Sequence, residues 1–246
     1  MTIITSRVNE EVKILGILKD RKKETVKFFL ASIPKRLKKT VISVSSDMYD
    51  GFINASKEVF GKRVRIVIDR FHVAKLYRKV VDNIRKQEMR KLKESLSEEE
   101  YKKFKGVMWI LRKSELSKDE KAILKKVFKH SKKLKKVYEL SNELTSIFNT
   151  QTTKNGGIRR LKNWIKKVKN SEISSYDSFV STLSKRLEEI ANYFVSRENS
   201  GFVEGLNNRL KVLKRRCYGI VNKTHLFQRI SLDMGTNYSE PIIINC

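Results

Sequence analysis

The first seventy residues alternate between short β-branched runs and a segment whose apolar positions have helical spacing. Residues 2–8 and 11–18 are rich in Ile, Val and Leu, and a polar pair separates them, so they predict a β-hairpin. Between residues 23 and 33 the apolar positions fall at helical spacing, and Pro34 follows as a stop signal. The pattern therefore predicts a hairpin followed by a helix that lies on a sheet.

Two short apolar runs, each ending in an aspartate, come next. Residues 41–47 and 64–69 predict strands that end at Asp47 and Asp69, and the pattern of residues 51–60 is helical. Strand, helix and strand within about thirty residues predict a parallel crossover unit. Because ligands and catalytic groups gather at the carboxyl ends of parallel strands, we expect the two carboxylates to share a functional edge.

Beyond residue 76 the sequence changes character. Residues 78–195 contain nearly all the charge runs, no proline and repeated helical periodicity, so they predict several helices that Gly156-Gly157 interrupts. No linker rich in Ser, Gly or Pro precedes this part, which favours an insertion over a tethered domain. The predicted organisation is an α/β core over residues 1–76, a basic all-helical insertion over 77–197, a helix returning to the core over 198–235 and a tail over 236–246.

A further helix is predicted over residues 199–219, with Asn199 or Ser200 as its N-cap and Gly219 as its end. Two opposite stripes follow from helical periodicity. The apolar stripe consists of Leu206, Leu210, Leu213 and Cys217, and the polar stripe consists of Glu204, Asn208, Lys211 and Arg215. One interpretation is that Glu204 holds a metal ion while the other three meet phosphates. The alternative is an exposed polar face with a hydrogen bond from Glu204 to Asn208.

The charge of the chain narrows the choice of partner. With 55 Lys and Arg against 27 Asp and Glu, the net charge is +28. The excess is spread along the whole chain, which favours nucleic acid over a membrane surface, and the apolar runs are too short to cross a bilayer. Two cysteines without metal-ligand spacing and a start without secretory-signal character predict a cytoplasmic protein.

A second basic segment surrounds Trp164. Arg159, Arg160 and Lys162 precede it and three more lysines follow, so this helix is a candidate phosphate-contacting surface. The alternative is that Trp164 lies in the helical core and the basic residues form a solvated face.

Three motifs together resemble one family. Residues 44–52 (Val-Ser-Ser-Asp-Met-Tyr-Asp-Gly-Phe), residues 68–73 (Ile-Asp-Arg-Phe-His-Val) and the predicted helix over 199–219 occur in the order found in ISL3 insertion-sequence transposases. The resemblance extends from about residue 2 to residue 232. It implies an RNase H-like α/β fold whose mixed sheet presents two Asp and one Glu to two divalent metal ions.

The resemblance also implies roles for individual residues. Asp47 resembles the second Asp of the triad and Glu204 its Glu, so these two are the expected metal ligands for Mg²⁺ or Mn²⁺. Asp69, with His72 three residues later, matches a segment that is characteristic of the family but whose role is open. Asp69 is a candidate third acid. The expected DNA contacts are Asn208, Lys211, Lys214, Arg215 and Arg216, together with Arg159, Arg160 and Lys162 of the other basic segment. The expected partners are the transposon ends and target DNA. The resemblance is also compatible with a homodimer, and no association with a membrane is expected.

The sequence departs from the family pattern at its start. The first strand of the sheet, which carries the first Asp, is expected upstream of the hairpin and is missing here, as are the zinc-binding and helix-turn-helix portions. Asp20, the first aspartate present, is assigned to a turn. The expectation is a truncated transposase that is weak or inactive alone. Two alternatives stay open: a non-catalytic DNA-binding remnant and an RNA-binding helical protein.

Overall fold

The computed structural model describes residues 2–8, 11–104, 106–197, 201–216 and 222–233. The strands are β1 (Thr2–Val8), β2 (Glu11–Leu18), β3 (Ser43–Ser46) and β4 (Arg65–Ile68). The first helices are α1 (Lys23–Ser32), α2 (Lys35–Thr40), α3 (Asp50–Phe60), α4 (Arg70–Ser95), α5 (Glu98–Lys102), α6 (Val107–Ile110) and α7 (Lys118–His130). The remaining helices are α8 (Lys132–Asn149), α9 (Lys154–Lys169), α10 (Asp177–Lys185), α11 (Leu187–Ala191), α12 (Tyr193–Ser196), α13 (Gly201–Arg216) and α14 (Lys223–Asp233).

The chain divides into two compact units. Residues 1–69 and 198–246 contribute to the first, which we call the α/β unit, and residues 70–197 form the second, which we call the helical unit. The predicted α/β class is compatible with these elements, although most described residues are helical. The predicted limit at residue 76 and the description of the helical part as an insertion stay predictions.

The hairpin is confirmed, and it contains a bulge. β1 and β2 pair antiparallel, but the register shifts so that residues 4 and 5 of β1 face Gly16 and Ile14, which leaves Leu15 without a partner in the ladder. An extra residue of this kind reverses the alternation of side chains beyond it. Ile14 and Ile17 consequently share one apolar cluster, whereas Leu18 belongs to another.

Helices α1 and α3 cover one face of the hairpin. Gly16 allows the close approach, since a Cβ there would lie 2.4 Å from the Phe29 ring. The buried side chains of this cluster are Leu18, Val26, Phe29, Leu30, Ala55, Phe60 and Val64. The same cluster includes Val44 at its edge, so the parallel strands share this core with the hairpin.

Helices α13 and α14 form a second cluster with the hairpin. Leu206, Leu210 and Leu213 of α13 are buried together with Ile14, and Leu226 and Ile230 of α14 complete the cluster. This confirms the predicted apolar stripe for those three leucines. Cys217, the predicted cap residues 199 and 200, and Gly219 lie outside the described residues.

The parallel crossover is confirmed as well. β3 and β4 pair parallel, from Ser43 opposite Arg65 to Ser46 opposite Ile68, and α3 connects them. Within the described ranges, the hairpin and the parallel pair are separate two-stranded sheets. A single RNase H-like mixed sheet therefore stays an expectation from the resemblance.

Trp164 is at the centre of the helical unit. Its side chain is 1% exposed, and its indole N–H donates to the carbonyl of Leu140 on α8 at 2.9 Å. The rings of Tyr176 and Phe179 meet it edge to face at 5.6 and 5.8 Å. The indole thus joins α8, α9 and the start of α10 in one core.

The expectation that Gly156-Gly157 interrupts the helical region is wrong. Both glycines lie in the first turn of α9, where the Thr153 side chain caps the helix by accepting from the backbone N–H of Gly156 at 3.2 Å. Packing requires a glycine at position 157, because a Cβ there would lie 2.2 Å from the ring of Phe194. A helix start with a capping threonine tolerates glycine better than a helix interior.

We expect Gly157→Val to destabilise the helical unit by about 1–3 kcal/mol, the usual cost of overpacking. The cause is displacement of Phe194, which is buried and stacked on Phe148. Urea unfolding followed by circular dichroism measures the change. Gly205→Ala on α13 is the control, because a Cβ there meets nothing within 4 Å and should be neutral or stabilising. Equal stability of the Gly157→Val protein and the wild type would contradict the packing argument.

A buried carboxylate links α4 to the start of α8 and gives the helical unit a pH dependence. Ser131 caps α8 and donates from its hydroxyl to Glu88 at 2.7 Å. Burial raises the pKa of Glu88, but hydrogen bonds from Ser131 and Lys91 outweigh it and hold the pKa below its ordinary 4.5. Such a group stabilises the fold above its unfolded pKa, and this contribution is lost as the pH falls through the folded pKa.

We therefore expect Ser131→Ala to cost more stability at neutral than at acidic pH, about 1–2 kcal/mol at pH 7. Urea titrations above and below the pKa of Glu88 measure the difference. Thr153→Ala removes a cap that, among the described residues, contacts no carboxylate, so its cost should not change with pH. A Ser131→Ala cost that is the same at both pH values would exclude the proposed coupling to Glu88.

Candidate catalytic centre and nucleic-acid surface

Asp47 and Asp69 follow directly on the ends of β3 and β4. The last residues of the two strands, Ser46 and Ile68, are paired, so the two aspartates come next at the same edge. The backbone N–H of Asp69 donates to the carbonyl of Ser46 at 3.1 Å, which extends the pairing one step past the strands. We call this pair of aspartates the carboxylate edge.

Two donors orient the carboxylate of Asp47. Its Oδ1 accepts from the backbone N–H of Tyr49 at 2.9 Å, which fixes the turn between β3 and α3. Its Oδ2 accepts from the guanidinium of Arg21 at 3.3 Å. The side chain remains 32% exposed. Asp47 is thus held in place and still open to solvent.

Arg21 is positioned by aromatic rings as well as by charge. Its guanidinium carbon lies 4.4 Å from the ring centre of Tyr49 and 5.5 Å from that of Phe52. Planar guanidinium groups favour such faces. Arg21 comes directly after Asp20, whose carboxylate accepts from the N–H of Lys22 at 2.9 Å, in agreement with the predicted turn.

Asp69 differs from Asp47 in exposure, since only 1% of its surface is accessible. A buried carboxylate needs compensating partners or a cation. His72 lies in the first turn of α4 in the helical unit, half-buried, with its ring edge to face with Phe71 at 5.7 Å. The roles of Asp69 and His72 stay predictions.

Glu204 belongs to α13, which packs on the hairpin of the same α/β unit through its leucines. The side chains of Glu204 and Lys214 lie outside the described part of the structure. Asn208, Lys211, Arg215 and Arg216 are exposed. The helix therefore presents the amide and the two cations of its predicted polar stripe to solvent, together with Arg216, and contact with DNA stays a prediction.

The α9 helix has the same division between core and surface. Arg159, Arg160 and Lys162 are exposed, as are the following Lys166, Lys167 and Lys169, whereas Trp164 is buried. The interpretation that placed Trp164 in the core is confirmed, so the tryptophan is not part of a phosphate-contacting surface. The three basic residues remain candidates for DNA contact.

The family model described as Transposase, of the DDE type named ISL3, matches residues 1–230. The chain belongs to the ISL3 family of transposases. It is also 26% identical over 233 residues to the transposase for insertion sequence element IS1001 of Bordetella parapertussis. That alignment covers 93% of this chain and 56% of the relative, so the chain spans about half of the relative's length. No solved structure matches the chain.

The donor set of the ISL3 chain suits a hard divalent cation. Carboxylate oxygens are the ligands that Mg²⁺ and Mn²⁺ prefer, and Asp47 already attracts one cationic group, Arg21. Among the residues whose side chains are described, no group of three or more His, Cys, Asp or Glu is close enough together to hold a metal. The side chain of Glu204 is not among them. No helix in the described ranges is long and apolar enough to span a membrane.

Arg21 and Tyr49 are the site residues that sequence reasoning missed. A signal for Tyr49 existed, because an aspartate in a turn often accepts from the backbone N–H two positions on. No local signal connects Arg21 to Asp47, since 26 positions separate them and only the packing of α1 on α3 brings their loops together.

Proposed function

We propose that this chain is the catalytic core of a DNA transposase that cleaves phosphodiester bonds with divalent metal ions. The observation that carries the proposal is the carboxylate edge in a member of the ISL3 family: Asp47 and Asp69 directly follow two paired parallel strands of the α/β unit. Glu204 on α13, which packs against the same unit, would complete the ligand set.

Asp47 and Glu204 would hold Mg²⁺ or Mn²⁺, with Asp69 as a third acid. When bound, the ions activate water or a 3′-hydroxyl for attack on phosphorus and stabilise the leaving oxygen. The protein's own task is orientation. Tyr49 fixes one oxygen of Asp47 through its backbone N–H, and Arg21, held by two aromatic rings, balances the charge of the other.

The DNA surface of the proposal is the exposed basic face of α13, with that of α9 as a second contact. Lys211, Arg215 and Arg216 are solvent-exposed on the helix that carries Glu204. Phosphate contacts of this kind fix the register of a protein on DNA without reading its sequence. Binding through them weakens steeply as the salt concentration rises.

The test is a nicking and binding assay on labelled duplex DNA with the full chain, in Mg²⁺, in Mn²⁺ and in EDTA. Wild-type nicking that needs the metal and disappears in Glu204→Ala is the expected result. Salt-sensitive binding without nicking would favour the non-catalytic remnant, and tighter binding of structured RNA than of duplex DNA would favour the RNA-binding alternative. Vigorous nicking by the chain alone would contradict the expectation that its activity is weak.

A further inference from the structure

The helical unit contains a groove whose lining residues have no role in the proposed catalytic centre or DNA surface. Helix α4 and helix α8 form its walls, and the segment from α6 to the start of α7 closes one side. Its volume is about 740 Å³. All of the residues that line it belong to the helical unit, so the groove is complete within that unit. We call it the α4–α8 groove.

The charge of the groove is strongly positive. Five cationic side chains line it, against two carboxylates. Asp82, one of the two, is engaged by Arg85 at 2.9 Å and by Lys86 at 3.0 Å. In the described part of the chain, Arg78 and Lys121 form no ion pair, and both are exposed. Arg112, the third exposed cation without a carboxylate partner, lies over the ring of Trp109 at 5.8 Å.

The groove also offers groups without charge. Leu111 and Leu116 contribute apolar surface, and Asn142 and Ser146 contribute neutral polar groups from α8. Cations beside apolar side chains suit a ligand that combines phosphates with flat, weakly polar rings. Nucleotides have this combination.

The size of the groove favours a single strand over a duplex. Its volume of about 740 Å³ falls in the range of sites that bind small molecules, and the groove is partly open to solvent. A duplex is wider than such a site, whereas a short stretch of an unpaired strand can lie along it. Unpaired bases also expose ring faces that the apolar side chains of the groove can contact.

We propose that the α4–α8 groove binds an unpaired segment of DNA, with its phosphates on Arg78, Arg112 and Lys121. The inference rests on the proposed function for the identity of the nucleic acid as DNA. The occupant would be a frayed or displaced strand next to the cleavage site.

Trp109 provides a direct readout. The chain has two tryptophans, of which Trp109 is 63% exposed and stacked with Arg112, while Trp164 is 1% exposed. A strand that enters the groove beside Arg112 should quench the fluorescence of Trp109. Trp109→Phe should remove the quenching and leave the emission of Trp164 unchanged by DNA.

The experiment measures binding of a fluorescein-labelled oligothymidine of about twelve nucleotides, a length within the usual range of single-strand sites. The groove variant combines Arg78→Ala, Arg112→Ala and Lys121→Ala. The control combines Arg90→Ala, Lys125→Ala and Lys129→Ala, which removes the same charge from exposed positions outside the groove. The groove variant should lose about tenfold in affinity, and the slope of log K against log salt should fall by about two. The control should change far less.

A second variant blocks the groove without changing charge. Asn142→Trp fills the groove from α8. Ser178→Trp, at an exposed position of α10 outside the groove, is the matched control. Loss of binding in Asn142→Trp alone supports the proposal. Equal losses in the groove variant and its control, no effect of Asn142→Trp, no binding of the strand by the wild type, or tighter binding of an RNA of the same length would each overturn it.

Nicking of duplex DNA in the same preparations separates this inference from the proposed function. If metal-dependent nicking is present and the groove variants behave like their controls, the groove inference alone fails. If nicking is absent and the groove variants still lose strand binding selectively, the groove inference stands and the proposed catalytic function fails.

Discussion

Asp47→Asn is expected to reduce metal-dependent nicking by on the order of a hundred- to a thousandfold, while the fold is retained. The amide keeps the shape of the side chain, and its oxygen still accepts from the N–H of Tyr49. What it loses is the negative charge that a divalent ion requires. Initial rates on a labelled duplex at saturating Mn²⁺, together with the circular dichroism spectrum, measure both parts of the prediction.

Asp20→Asn is the matched control, because Asp20 lies beside Arg21 and also orients a turn by accepting a backbone N–H. Asparagine can make the same hydrogen bond, and no metal is assigned to Asp20, so nicking should remain at the wild-type level. If both variants lose nicking equally, charge near the loop matters in general and the specific role of Asp47 is wrong.

The largest stability effect is expected from Trp164→Ala, about 3–5 kcal/mol, the usual cost of removing a large aromatic side chain from a core. The substitution leaves a cavity between α8, α9 and α10 and deprives the carbonyl of Leu140 of its donor. Urea unfolding followed by circular dichroism, or hydrogen exchange at the amides of α8 and α9, would detect the loss.

Trp109→Ala is the companion measurement. Trp109 is 63% exposed, so its removal should change stability by less than about 0.5 kcal/mol. Similar destabilisation by the two substitutions would mean that Trp109 is buried in solution and would also remove the basis for its use as a fluorescent reporter.

The α/β unit was largely predictable because its strands are short, apolar and bounded by strong signals. Each apolar run that ends in Asp47 or Asp69 leaves little choice but a strand, and the helical pattern between them requires a parallel connection. The bulge at Leu15 was not predictable. It depends on which side chains the facing helices can accept, and that information lies far away in the sequence.

The candidate site was predictable only in part. The two aspartates are visible as strand ends, and the stripes of α13 follow from helical periodicity alone. The contact of Arg21 with Asp47 and the burial of Asp69 are properties of the tertiary structure, since they arise when loops from separate segments meet. The misjudged glycine pair has another cause: Thr153 provided a capping signal, but glycine was treated as a breaker wherever it occurred.

The two-sided hairpin also has a consequence for synthesis. The cluster on one of its faces is supplied by α1 and α3, which follow it immediately, whereas that on the other face needs Leu206 and Leu210, which are translated much later. At about 5–20 residues per second, Ile14 waits for its partners for on the order of ten seconds or more. Throughout that interval a nascent chain at the ribosome exposes a row of isoleucines. Helix α13 thus determines when the isoleucines of the hairpin are covered and protected from aggregation, and it also carries Glu204.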